Sequence, residues 1–423
     1  MAKAKSKQTS SSGVELRDLT PAQRRERFLA AKKEMSDDWR VVKENETEEL
    51  VPFDLLPLDY GLRLYGLARK GRVYQFHGDE GAGKSSLAYA VNRNYQKQTK
   101  EPIAIFDFER TTTSDYLRKV GINEHDAFIK QPDSVEGCIK DVIRMIEAGC
   151  RMFTFDSIPR MHSMADVKEI LNGNAMKVQP GTHARAIQQF YNILLPHIAR
   201  VDGTFLMINQ TRSRIEMSQE AQSAAKGYET VTNLNYILPG GKSNRYNVSV
   251  MVELKLRKAW RPGKVEDPFL LEPEALKGEE YLANEVRVRS LKNKASGTGY
   301  RESTIWIRPG VGVDENISIR QLGRDLGFIA FHGKKWFVGE SIDQAIKVYD
   351  SKDAAIKELV IDQNPDILQP LKNLIIAKFE SDPSIGSIEV DDEEQRYLAG
   401  ETSDNTDEVL PSTPESAAII DEL

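Results

Sequence analysis

The 423-residue chain has little cysteine and little histidine. Its two cysteines, Cys138 and Cys150, stand in no metal-binding pattern, so neither a disulfide framework nor a zinc module is expected. The six histidines fall at no metal-ligand spacing either. No run of about eighteen apolar residues exists, so no membrane span is expected. The N-terminus, MAKAKSKQTSSSG, is basic but lacks the apolar segment of a secretory signal, and the expected location is the cytoplasm. Internal repeats are absent. A strongly basic balance is absent too, since the net charge is −6. The charge is unevenly spread, however. Residues 380–423 hold fourteen acids and one arginine, and the remainder is mildly basic. Such a body fits an anionic partner with which the acidic tail competes; a tail that only keeps the protein soluble fits equally.

What is present is FHGDEGAGKSSLAYAV at residues 76–91, which carries the spacing G-x-x-x-x-G-K-[ST]. Before it, GRVYQFH alternates as a strand does; after it, SSLAYAVNRNYQKQ follows helical period. Strand, glycine-rich turn and helix are the setting of a phosphate loop. That loop would comprise Gly78, Asp79, Glu80, Gly81, Ala82, Gly83, Lys84, Ser85 and Ser86. Its glycines allow a sharp turn that brings backbone N–H groups onto phosphate oxygens. The helix N-terminus adds partial positive charge. Lys84 would reach the β- and γ-phosphates, and the Ser85 hydroxyl would ligate Mg²⁺.

From about residue 51 the pattern alternates β and α. Strands are expected at RVYQFH, PIAIFDF, RMFTFD, TFLMINQ, VSVMVELKL, EVRVRSLK and STIWIRP. Several are near-continuous apolar runs, as in sheets covered on both faces. The expected fold is therefore α/β, doubly wound, with ligands at the carboxyl ends of the strands. Two polar segments, 163–182 and 211–238, read as long functional or mobile loops. Residues 261–283 read as an insertion. The expected division is a basic disordered tail at 1–19, a helix and linker at 20–50, a core at 51–325, a small α/β domain at 326–379 and an acidic disordered tail at 380–423. Thr20 and Pro21 mark the start of the early helix, which packs on another subunit or on its own domain.

Polar residues at strand ends are the remaining candidates. Asp156 ends RMFTFD, where a carboxylate caps a loop or, beside a phosphate loop, holds Mg²⁺. Glu109 lies two residues beyond the strand ending at Asp107; it is a surface carboxylate or it orients a water for attack on a γ-phosphate. Gln210 ends FLMINQ and is either tied to backbone or positioned to sense that phosphate. The next loop opens with Arg212 and Arg214, and Gly240, Gly241 and Lys242 close it. Bases and glycines there suit a nucleic-acid backbone, or are simply solvated. Lys292 and Lys294, at i and i+2, share a strand face and could reach an anion of their own or a neighbouring subunit.

The ordered set LDYGL…GRVYQFHGDEGAGKSSL, IAIFDFERTTTSDYLRKVG, FTFDS, FLMINQTRSRI, PGGKSNRYNVSVMVELKLRK and VRVRSLKNK resembles the RecA-type recombinases over residues 51–379. The resemblance implies a RecA-like ATPase core with an N-terminal oligomerisation helix and a small α/β C-terminal domain. It implies ATP and Mg²⁺ at Lys84, Ser85 and Asp156, with Tyr116 stacked on adenine. Glu109 matches the water-activating glutamate, Gln210 the γ-phosphate sensor, and Lys292 with Lys294 a pair that crosses to the neighbour's ATP. Arg185, Arg212, Arg214, Gly240 and Gly241 match DNA contacts, and Ile215 a side chain wedged between bases. The implied partners are single-stranded DNA, homologous duplex DNA, further copies of the chain in a helical filament, and single-strand-binding and loader proteins. The extra acid Asp79, the long second loop and residues 261–283 depart from the family pattern. They point to a divergent, phage-type member in a bacterial or phage-infected cell. Two other readings share the core. A DnaB-type ring helicase usually has an arginine finger where Lys294 stands and a larger N-terminal domain than residues 1–50 allow. A non-enzymatic ATP-gated DNA-binding oligomer has no need of Glu109.

Overall fold

The computed structural model describes residues 50–172, 182–213, 236–261, 265–271, 282–297 and 300–387, with single positions between 20 and 30. The chain divides into two units, 1–48 and 49–423. In the first unit the described positions from 22 to 30 are helical. Thr20 Oγ1 accepts the Gln23 N–H at 3.3 Å, and Gln23 Oε1 accepts the Thr20 N–H at 2.9 Å. This reciprocal pair satisfies N–H groups that a helix start leaves open.

The second unit begins its main sheet with β1 (Arg72–Gly78), α1 (Lys84–Thr99), β2 (Ile103–Asp107), α2 (Ser114–Lys119), β3 (Ala127–Lys130), α3 (Val135–Glu147) and β4 (Met152–Asp156). It continues through α4 (Met164–Leu171), α5 (Thr182–Arg200), β5 (Thr204–Gln210), α6 (Gly241–Asn247) and β6 (Val250–Trp260). Three strands, β7 (Ala283–Asn293), β8 (Arg301–Arg308) and β9 (Gly312–Val313), complete it. The order is β9-β8-β7-β6-β1-β5-β4-β2-β3. From β6 to β3 every neighbour pair is parallel; β6, β7, β8 and β9 pair antiparallel.

Strand alternation sends consecutive residues to opposite faces. Tyr74, Phe76, Ile103 and Ile105 enter one core with Leu87, Ala88 and Val91 of α1. Val73, Ala104, Phe106 and Phe155 enter the other, with Val142 of α3 and Phe190 and Leu194 of α5. Helices on both faces account for the unbroken apolar runs, and the fold is α/β with a large, mostly parallel sheet. All seven expected strands form. The short edge strand β3 was not expected, because four residues carry too little alternation to read.

A third core gathers around α7 (Glu315–Asp325), β10 (Ile329–His332), β11 (Lys335–Gly339), β12 (Ala345–Tyr349) and α8 (Pro365–Ser381). Three expectations change here and nearby. The stretch read as a loop from 163 contains α4, and residues 173–181 lie outside the described residues. The stretch read as an insertion supplies buried Phe269, Leu270 and Leu271, and the buried Arg320 guanidinium donates to the carbonyls of Phe269, Leu270 and Leu359 at 2.9, 2.9 and 3.1 Å. Helix α8 runs past the tail boundary expected at 380. Arg301 then holds the carbonyls of Pro383 and Ile385 at 2.8 and 2.7 Å.

Candidate active site

The sheet order places the candidate residues side by side. Gly78 at the end of β1 is the parallel partner of Gln210 at the end of β5, and Asp107 is the partner of Asp156. Between them the loop after β1 turns into α1. Gly83 precedes α1 with φ +84°, and a Cβ there would lie 2.0 Å from Ile307 Cδ1. Gly78, with φ +154°, passes so close to the Leu254 carbonyl that a Cβ would sit 2.1 Å from its oxygen. Only glycine meets both constraints.

A cleft of about 310 Å³ opens on this edge. Glu80, Gly81, Gly83, Lys84, Ser85, Ser86, Glu109, Tyr116, Asp156 and Gln210 all line it. The Lys84 ammonium donates to the Asp79 carbonyl at 2.7 Å. The Ser85 hydroxyl donates to Asp156 Oδ2 at 2.6 Å. Glu109 Oε1 accepts from Gln210 Nε2 at 2.6 Å and from Ser157 Oγ at 2.5 Å, and the Glu109 N–H donates to the Asp156 carbonyl at 3.2 Å. Tyr116 OH and Ser86 Oγ are 3.0 Å apart. Asp107 does not line the cleft: its carboxylate takes the N–H groups of Arg110 and Thr112 at 2.8 and 2.9 Å and shapes the turn bearing Glu109.

Burial raises Asp156 to about 7, and the carboxylates of Glu109 and Asp107 add to this against the Ser85 hydrogen bond and Lys84. Burial lowers the Lys84 ammonium, opposed by Asp156, Glu109, Asp79 and Glu80. Acidic groups thus gather beside a serine hydroxyl, with the Lys84 ammonium as their counter-charge. A hydroxyl, a carboxylate and room for phosphate oxygens and water form a donor set that fits Mg²⁺, which keeps several of its waters. Among the described residues no cluster of three or more His, Cys, Asp or Glu could hold a metal by itself.

Other candidates lie elsewhere. Lys292 Nζ donates to the Arg245 carbonyl at 2.6 Å, and Lys294 is exposed; neither lines this cleft. Lys292 is held down to about 8 by burial and by its cationic neighbours Lys294 and Arg245. Arg185 is exposed near the start of α5. Gly240 and Gly241 take φ +100° and +67°, and a Cβ on Gly241 would meet Ala184 Cβ at 2.9 Å, so this turn abuts the start of α5. Arg212 pairs with Ile237 and Ser213 with Tyr236 in a short antiparallel stem. Lys242 lies in α6. Arg214 and Ile215 lie outside the described residues.

Sequence reasoning missed one wall of the cleft: Asn284 of β7, Ile307 and Arg308 of β8, and Pro309 and Gly310 beyond it. No local signal marks them, because they arrive through the antiparallel extension of the sheet. Ser157 was missed as well, although it follows Asp156 directly. Thr211, whose hydroxyl donates to the Asp79 carboxylate, could have been suspected from its place after Gln210.

Comparison with known proteins gives the family. A family model described as the RecA N-terminal domain matches residues 42–314. Protein RecA of Delftia acidovorans is 27% identical over 305 residues, 70% of this chain and 73% of the relative. Protein RecA of Psychrobacter cryohalolentis is 24% identical over 351 residues, 82% and 88% of the two chains. Protein RecA of Xylella fastidiosa is 26% identical over 338 residues, 79% and 85%. A glycine-rich loop at the carboxyl edge of a mostly parallel sheet, turning into a helix whose lysine and serine face a strand-end aspartate, defines an α/β phosphate-loop protein. Within that class the chain belongs to the RecA family.

Proposed function

We propose that the chain is an ATP-dependent recombinase, which forms a helical filament on single-stranded DNA and carries out homologous pairing and strand exchange with duplex DNA. The observation that supports this most is the placement of Gln210. Its amide holds Glu109 in the cleft at 2.6 Å, and two residues later the chain enters the stem of the 212–237 loop. One side chain therefore stands between the nucleotide site and a loop suited to DNA.

The loop amides and Lys84 would hold the β- and γ-phosphates, and Tyr116 would pack on the base. Ser85 and Asp156 would hold Mg²⁺, which when bound neutralises charge on the phosphate oxygens. Glu109 would take a proton from the attacking water. Its Oε1 accepts from two donors, Gln210 and Ser157. Release of Gln210 to a γ-phosphate would take one of the two donors off Glu109 Oε1, which raises the basicity of the carboxylate, and would move the root of the loop. Lys292 and Lys294 would serve a neighbour's cleft, where phosphate charge offsets their mutual repulsion. Arg185, Arg212, Arg214, Gly240, Gly241 and Lys242 would meet the DNA backbone, and Ile215 would insert between bases. Single-strand-binding and loader proteins are further partners, and the site of action is the cytoplasm of a bacterium or phage-infected cell. No described helix is long and apolar enough to cross a membrane.

Electron microscopy with single-stranded DNA and a non-hydrolysable ATP analogue tests the proposal. An extended helical filament is expected, with ATPase activity stimulated by the DNA. Closed rings would shift the reading to a helicase, and isolated particles would remove the role given to Lys292 and Lys294.

A further inference from the structure

We infer that Asn209 is a positioning residue that passes the position of Gln210 to the Pro239–Gly240 backbone through a buried amide relay completed by Gln75 and Asn244. This rests on the reading that the cleft binds ATP and the 212–241 region binds DNA. Asn209 stands on β5 beside Gln210, with no exposed surface. Its Oδ1 accepts the Gln210 N–H at 2.9 Å, and its Nδ2 donates to the Pro239 carbonyl at 3.0 Å. That carbonyl is the last before Gly240, the turn that abuts α5.

A second amide holds the same point from the other side. Asn244 of α6, also buried, donates to Gln75 Oε1 at 2.7 Å and lies 3.5 Å from the Pro239 carbonyl. Its Oδ1 accepts from Tyr191 OH at 2.7 Å, and Tyr191 belongs to α5, whose first turn bears Arg185. Gln75 lies on β1, three residues before Gly78, with Oε1 3.5 Å from Asn209 Nδ2. The relay therefore touches the strand that enters the phosphate loop, the strand that ends in Gln210, the Gly240 turn and helix α5.

Three buried carboxamides are a costly way to fill space between apolar cores, because burial strips them of water and Gln75 Nε2 is left without a partner among the described residues. What they add is direction. Each link fixes donor against acceptor, so a shift of the β5 end is handed to Pro239 instead of being absorbed by loose apolar packing. A purely structural amide cluster would lower stability when removed but leave the response of DNA binding to nucleotide intact.

The test is fluorescence anisotropy of a labelled single-stranded oligonucleotide on the full chain, with and without a non-hydrolysable ATP analogue and Mg²⁺. The wild type is expected to bind the oligonucleotide at least about fivefold tighter with the analogue, and Asn209→Leu to bring that ratio within about twofold of unity while the analogue still binds. If Asn209→Leu does not fold, the combined Gln75→Met, Asn244→Leu and Tyr191→Phe variant carries the test. It removes both partners of the Asn244–Gln75 and Tyr191–Asn244 links, takes away the Asn244 hold on the Pro239 carbonyl while leaving that of Asn209, and keeps the volume nearly constant. Folded variants that keep the wild-type ratio and lose only thermal stability overturn the relay. A wild type whose DNA affinity ignores the analogue overturns the functional reading on which the relay rests.

Discussion

Asp156 is a buried carboxyl whose proton competes with a cation entering the cleft. Its folded value of about 7 stands above the ordinary 3.8 because burial, with Glu109 and Asp107 nearby, disfavours the charged form. The folded chain therefore binds a proton that the unfolded chain releases between these values. Asp156's contribution to stability is present at low pH and falls as pH rises through that window. Mg²⁺ must displace the same proton. Affinity for the Mg²⁺–nucleotide complex should weaken below pH 7, by up to about tenfold per pH unit, and Asp156→Asn should flatten this dependence as well as weaken binding. Calorimetric titration at about pH 6 and about pH 8 reads both effects. Lys84, Ser85 and the loop glycines were legible from spacing alone, because a phosphate loop is one continuous segment. The Gln210–Glu109 and Ser157–Glu109 contacts were not, since their partners are brought together by strand order.

Among the elements, the segment at 265–271 departs most from its sequence appearance. The stretch around it reads as an insertion, yet its Phe269 packs against Trp336 with ring centroids 4.6 Å apart, and Arg320 binds two of its carbonyls. The segment thus joins the third core to the antiparallel end of the main sheet, where Leu270 and Leu271 cluster with Trp260 and Trp306. Arg320→Met would leave three buried carbonyls without their donor and should cost about 3–5 kcal/mol. Denaturant unfolding followed by tryptophan fluorescence measures this, and a change below about 1 kcal/mol would show that water replaces the guanidinium. Strands and helices with strong periodicity were legible. This segment was not, because its apolar residues, Val265, Phe269, Leu270 and Leu271, are too few to declare a period and the arginine that binds its carbonyls lies some fifty residues further on.

At the scale of the whole molecule, the acidic tail opposes a body of the other sign. Arg63 and Arg301 grip backbone carbonyls from Phe379 to Ile385, so a truncation at 380 would damage the fold and removal of 388–423 is the cleaner experiment. That stretch carries twelve acids and one arginine. Its removal should tighten binding to single-stranded DNA by about three- to tenfold at low salt, with the difference shrinking as salt rises. Anisotropy across a salt series distinguishes this from a tail that serves solubility alone, for which affinity at fixed salt stays unchanged. The sequence by itself determined the phosphate loop, the seven long strands, the carboxylate at the end of β4 and the asymmetry of charge, since each is written in adjacent residues or in composition. Tertiary structure decided the rest. The order β6-β1-β5-β4-β2 sets Gln210 against Glu109 and Asn209 against Pro239, and the antiparallel strands supply a cleft wall the sequence does not mark. Such pairings join residues tens to more than a hundred positions apart, and only the packing of both sheet faces selects which strand lies beside which.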